Sequence, residues 1–229
     1  AVKAFEAQKK QHEETLNQIN GMKSKYEPID EFIKKNPAVY ERLVREIFSQ
    51  ARDLLSRVDA VTVAAPTASH VDLALPFLEA GIATLVEKPI ASSVEDAERL
   101  IEAAERGRAI LATGHTERFN PAVAAALSLI AEPRFIEIHR LGTFPERSLD
   151  IDVIFDLMIH DLDLLLAVVK SDVVSIEAVG VNVLTPKADI ANARLRFASG
   201  CIANLTASRI SRERVRKARF FQKDAYVSI

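Results

Sequence analysis

The sequence predicts an α/β chain in two parts. A partial, doubly covered parallel sheet occupies residues 51–120, and an α+β part with an open, mostly antiparallel sheet occupies 121–229. Extra N-terminal helices precede them over residues 1–50. Three observations carry this expectation. Short, nearly all-apolar runs alternate with helical stretches between residues 60 and 113. Each run ends in a polar motif. Beyond residue 121 the apolar positions of the strand candidates alternate with period two, as in sheets with one wet face.

Residues 1–35 are rich in Lys, Glu and Gln, which suits a surface helix or arm. Asn36-Pro37 starts an amphipathic helix over 37–57, with Tyr40, Leu43, Val44, Ile47 and Phe48 at helical spacing. Ala60–Ala65 reads as a strand buried on both faces, stopped by Pro66. A helix over 68–80 closes at Gly81. Ile82–Val86 is a second buried strand, ending in Glu87-Lys88-Pro89. Ser92 and Ser93 offer caps for a helix to about residue 106, and Arg106-Gly107-Arg108 turns into a third strand, Ala109–Thr113. Strand–helix–strand–helix–strand order implies parallel pairing and right-handed crossovers. A helix over 121–131, a strand at Arg134–Leu141 and an apolar helix over 152–170 follow. Val174–Leu184, Asp189–Phe197 and Cys201–Ser208 are further strands, and the chain's last residues read as mid-strand.

Composition excludes several function classes. A formal net charge of −2 over 229 residues recruits neither nucleic acid nor an anionic membrane. The basic stretch Arg209–Lys223 lacks the aromatic interleaving of a nucleic-acid binder and reads as a solvated strand–loop–strand edge. One cysteine, Cys201, rules out an internal disulfide. No apolar run spans a bilayer, and a cytoplasmic location is the default expectation.

In open parallel sheets the ligand crevice lies at the carboxyl ends of the strands. Pro66–His70, Glu87–Pro89 and Gly114–Asn120 all fall there. Lys88 at such an end points into the crevice and can hydrogen-bond a substrate hydroxyl. Asp156 and His160, four apart on an apolar helix, share one face, and burying both is costly unless they pair or serve a site. A structural pair remains the competing reading. Asp161 and Asp163 suit structural hydrogen bonds better than a metal, because no recognised ligand spacing is present.

The pieces "VDAVTVAAPTASH" (58–70), "VEKPIA" (86–91), "GHTERFNP" (114–121) and "DLMIHDLDLL" (156–165) together resemble the Gfo/Idh/MocA oxidoreductases in order and spacing, over about three quarters of the chain. The resemblance implies a Rossmann-type nucleotide domain, an α+β domain whose sheet supports homo-oligomers, and NAD or NADP as cofactor. It implies Lys88, Asp156 and His160 as the catalytic set, with His160 as general base. Ala65, Pro66, Thr67, His70, Glu87, Lys88 and His115 would border the cofactor. The substrate would be a sugar or nucleotide-sugar. Residues 140–164 resemble a branch acting on the 3-hydroxyl of UDP-N-acetylglucosamine, which would make Arg118, Arg140 and Arg147 diphosphate contacts, and Arg118 and Asn120 are candidates to bind polar groups of the substrate.

The chain departs from that pattern. No two of its seven glycines are two residues apart, so the Gly-x-Gly-x-x-Gly turn that cradles a pyrophosphate is absent. Dinucleotide affinity is therefore expected to be weak. Residues 1–50 resemble no part of the family, the C-terminal end reads as cut within the sheet, and the strand at 60–65 is expected to have an exposed edge. A non-catalytic binding or oligomerisation module, and a metal-dependent hydrolase using His160, Asp161 and Asp163, are the alternatives.

Overall fold

The computed structural model describes residues 50–144 and 151–229. The helix expected over 37–57 falls largely outside them. Within them, residues 50–52 are helical and 53–57 form turns.

The first lobe is a three-stranded parallel sheet of β1 (Ala60–Val63), β2 (Ala83–Val86) and β3 (Leu111–Thr113), in the order β1-β2-β3. Helix α1 (His70–Glu79) joins β1 to β2, and α2 (Val94–Gly107) joins β2 to β3. The apolar runs form strands because β-branched side chains suit a pleated, covered surface. Val63, Val71, Leu78, Val86 and Leu100 make the core of this lobe. Strand β1 is not buried on both faces as its composition suggests. Ala60 and Thr62 are exposed, and among the described residues β1 is an edge strand.

Helix α2 begins where Ser93 Oγ accepts from the Asp96 N–H at 3.1 Å, with Glu95 and Asp96 in the positive first turn. Its end differs from expectation. Gly107 stays helical, and Arg108 takes the left-handed turn position at φ 52°. The reason is packing, since a Cβ on Gly107 would sit 1.9 Å from the Leu78 carbonyl oxygen of α1.

The second lobe is a six-stranded mixed sheet, ordered β5-β6-β7-β4-β8-β9. Its strands are β4 (Phe135–Leu141), β5 (Val173–Val181), β6 (Ile190–Phe197), β7 (Ile202–Ser208), β8 (Val215–Phe221) and β9 (Tyr226–Ser228). Only β4 and β7 pair in parallel. The basic stretch, read as a solvated strand–loop–strand edge, supplies strand β8, which pairs with both β4 and β9, so the edge on that side is β9.

Helix α3 is Pro121–Leu127, shorter than the 121–131 expected. Asn120 Oδ1 accepts from the Ala122 N–H, and Pro121 fits the first turn. The apolar stretch 152–170 is not one uniform helix. It opens with a π-helical turn, Ile154–Met158, before α4, Ile159–Val168. Asp152 Oδ1 caps it, accepting from the N–H groups of Ile154 and Phe155 at 3.0 Å. Leu164, Leu165 and Val168 pack under the inner sheet face with Ile136, Ile138, Leu195 and Leu205. The two lobes thus carry separate apolar cores.

Candidate functional site

The ends of β1, β2 and β3 present Ala65–Thr67, Glu87–Lys88 and Gly114–His115 side by side. The strand bonding runs past the strands themselves. The Glu87 N–H donates to Val63 O at 2.9 Å and the Gly114 N–H to Val86 O at 2.8 Å. Gly114 is small for a reason, because a Cβ there would stand 3.0 Å from the Glu87 carboxylate.

His70, expected beside the cofactor, is 1% exposed and plays another part. Its ring nitrogens stand between the carbonyl oxygens of Ala65 (2.8 Å) and Pro89 (2.9 Å), and whichever carries the proton donates to its carbonyl, which places the ring between the ends of β1 and β2. The Lys88–Pro89 peptide is cis.

Lys88 reaches across the crevice to the π-helical turn. Its Nζ donates to the Asp156 carbonyl oxygen at 2.8 Å and to Asp156 Oδ1 at 3.3 Å. Both side chains are mostly covered, at 19% and 16% exposure. So the structure brings Lys88 and Asp156, far apart in sequence, into one ion pair. Asp156 does not hydrogen-bond His160 among the described contacts, although the spacing of four suggests a shared face. The widened i→i+5 turn intervenes between them.

His160 is half-buried, and its Nδ1 is covered without a hydrogen-bond partner. Burial, then the positive charges of Lys88 and Arg140, push its pKa down to about 4, and Glu117 opposes them only in part. The imidazole is therefore neutral at pH 7, the form that can accept a proton. His115 Nδ1 is likewise covered and unpartnered. Two orphaned imidazole nitrogens at one crevice are costly unless a ligand supplies their partners.

The expected substrate contacts have local partners already. Arg140 sits on the inner face of β4, and its Nε and Nη2 fork onto Asp161 at 2.7–3.0 Å. Its Nη1 donates to Glu117 Oε2 at 3.3 Å. Burial alone would push this guanidinium's pKa down, but Asp161 and Glu117 raise it. Arg118 forks onto Asp163 through Nε and Nη2, both at 2.6 Å. Asn120 caps α3 and donates to Glu117 Oε1 at 3.0 Å. Arg147 lies outside the described residues. The Asp161 and Asp163 carboxylates are thus engaged by arginines, and the described residues hold no group of acids, histidines or cysteines placed for a metal. Glu117 is the functional neighbour that residue types alone did not reveal. Its signal was a carboxylate beside Arg118 inside the Gly114–Pro121 motif.

The chain is similar to known proteins. The family model described as "Oxidoreductase family, NAD-binding Rossmann fold" matches residues 6–115, so it takes in most of the segment 1–50. The model of the GFO/IDH/MocA C-terminal domain matches residues 94–225. UDP-N-acetylglucosamine 3-dehydrogenase from Acidithiobacillus ferrooxidans is 41% identical over 201 residues, which are 87% of this chain and 64% of that protein. Inositol 2-dehydrogenase from Rubrobacter xylanophilus is 31% identical over 55% of this chain and 39% of its own length. The solved Acidithiobacillus enzyme, GnnA, superposes with a TM-score of 0.74 at 43% identity, covering 78% of this chain and 59% of that one. Scyllo-inositol dehydrogenase from Lactobacillus casei, solved with NAD(H) and scyllo-inositol, superposes at 0.68 with 19% identity, a likeness of fold. The chain spans less than two thirds of the length of these relatives. With a parallel strand-end crevice, a Lys88–Asp156 pair and both family models matched in order, the chain belongs to the Gfo/Idh/MocA family of oxidoreductases.

Proposed function

We propose that this crevice serves the nicotinamide-dependent oxidation of a sugar or nucleotide-sugar hydroxyl, with the 3-hydroxyl of UDP-N-acetylglucosamine as the preferred substrate group. The observation that carries the reading is His160, held neutral with a covered, unpartnered Nδ1 and sensing the charge of Lys88, which pairs with Asp156. The similarity to UDP-N-acetylglucosamine 3-dehydrogenase supports the substrate.

His160 takes the hydroxyl proton. The Lys88 ammonium faces the oxygen and stabilises the negative charge that grows on it. Asp156 orients Lys88 through the carbonyl and carboxylate contacts. Bound nicotinamide supplies the hydride acceptor for the carbon. Ala65, Pro66, Thr67, Glu87, Lys88 and His115 are the residues that would hold its end of the cofactor. The unpartnered His115 nitrogen fits a polar group laid close to that strand end. His70 supports the same strand ends from beneath.

The sequence holds no Gly-x-Gly-x-x-Gly turn for the pyrophosphate. Calorimetric titration of NAD and NADP should therefore give dissociation constants weaker than micromolar. At saturating NAD, reduced nicotinamide should form when UDP-N-acetylglucosamine is added. His160→Ala should lower turnover by about 10²–10⁴-fold, the usual share of a positioned base. Unchanged turnover in that variant contradicts the assignment. No helix of the described residues is long and apolar enough to cross a membrane. For assembly, we propose a homo-oligomer through the outer face of the large sheet, where Val179, Val181, Phe221 and Tyr226 are exposed.

A further inference from the structure

We infer that Glu117 and Arg118, with Arg140 and Asp163, form a two-point ionic clasp that positions His160 across the crevice from Lys88. The inference rests on the proposed role of His160 and assigns its placement to residues that touch no reacting atom. The two lobes have separate apolar cores, so apolar packing does not fix the crevice width. The links across it are polar. The first is Lys88 to Asp156. The other two leave adjacent residues of one short turn, Thr116–Phe119, which follows β3 and buries none of its own residues.

From that turn, Glu117 accepts from Arg140 of β4, and Arg118 donates both fork nitrogens to Asp163 of α4. Arg140 in turn forks onto Asp161, the residue after His160. Asp161 and Asp163 thus flank the turn of α4 that begins at His160, and each is tied, directly or through Arg140, to the turn carried by β3. Burial and the Arg140 charge act on Glu117 in opposite senses, and the net effect lowers its pKa, so the carboxylate is charged at neutral pH. Arg118 is 47% exposed, but its two 2.6 Å bonds fix direction as well as charge. The geometry makes these groups positioning residues.

The ring titration of His160, followed by NMR on the cofactor-free chain, reads this placement directly. The groups facing the ring are Lys88 of the first lobe, Arg140 of β4, and Glu117 and His115 of the strand-end turn. Asp163→Asn removes the Arg118 fork and leaves those groups unchanged. Opening the clasp hydrates the ring and draws it from Lys88, so the midpoint should rise by about one pH unit or more from its low value. Glu117→Gln gives a second, independent sign. Losing a nearby anion by itself lowers a histidine midpoint, whereas releasing the clasp raises it. The clasp predicts a rise in both variants, and Asp163→Glu, which keeps the carboxylate, should stay near the wild-type midpoint. An unchanged or lower midpoint in either Asp163→Asn or Glu117→Gln overturns the clasp. Because no turnover is measured, failure of the oxidoreductase reading would leave this result intact, and failure of the clasp would leave that reading intact.

Discussion

Asp189 shows how a single carboxylate can hold a loop. It is fully buried, and its oxygens accept from the N–H groups of Val183, Leu184 and Thr185, the Thr185 hydroxyl and Arg209 Nε. Burial pushes its pKa up, but those donors outweigh it and bring it down to about 2. In the unfolded chain the group titrates near about 3.9. Its contribution is therefore fully present above about pH 4 and lost as pH falls through about 2, roughly 2–3 kcal/mol in all. Asp189→Asn removes the charged acceptor of these bonds and should cost about 2–3 kcal/mol at pH 7, with the acid-dependent part abolished. Urea unfolding across pH checks both.

Residue roles were legible where chemistry and position agree. Lys88, just past an apolar strand of the parallel sheet, could be read into the crevice because such strand ends face it. The sequence reads Arg140 as a substrate contact, whereas it lies inward with Ile136 and Ile138, where a charge is costly unless paired. Its partner Asp161 comes from a helix 21 residues later, a pairing that no local pattern reveals.

At the scale of elements, α1 and α2 pack backbone to backbone at Gly107. In an isolated helix Ala is favoured over Gly by about 1 kcal/mol. Here the sign reverses, because the new methyl group meets the rigid Leu78 carbonyl at 1.9 Å. Gly107→Ala should destabilise by about 1–3 kcal/mol, seen as a lower urea midpoint. A midpoint at or above wild type contradicts the packing account. The sequence allowed Gly107 to be taken as a turn residue, since Gly signals turns more often than close helix contact. The π-helical turn at Ile154–Met158 was hidden for a similar reason. Apolar spacing reports a helix but not a local change in its bonding. The strands were the most legible elements, because runs of apolar and alternating residues carry their own period.

At the scale of the whole chain, two cores meet across a polar crevice, and the proposed chemistry needs groups from both lobes. Lys88 comes from the first lobe, and Asp156 and His160 from the second. The Gfo/Idh/MocA assignment was legible because four short motifs keep their order, although each is weak alone. The clasp was not, because its ion pairs join residues 23 and 45 positions apart.

The central claim is direct hydride removal from a sugar carbon at this crevice. UDP-N-acetylglucosamine deuterated at C3, incubated with the chain and saturating NAD, tests it most directly. The account predicts deuterium on the reduced nicotinamide, with a slowed rate, and loss of the transfer in His160→Ala. Turnover of the sugar without deuterium reaching the nicotinamide would contradict it.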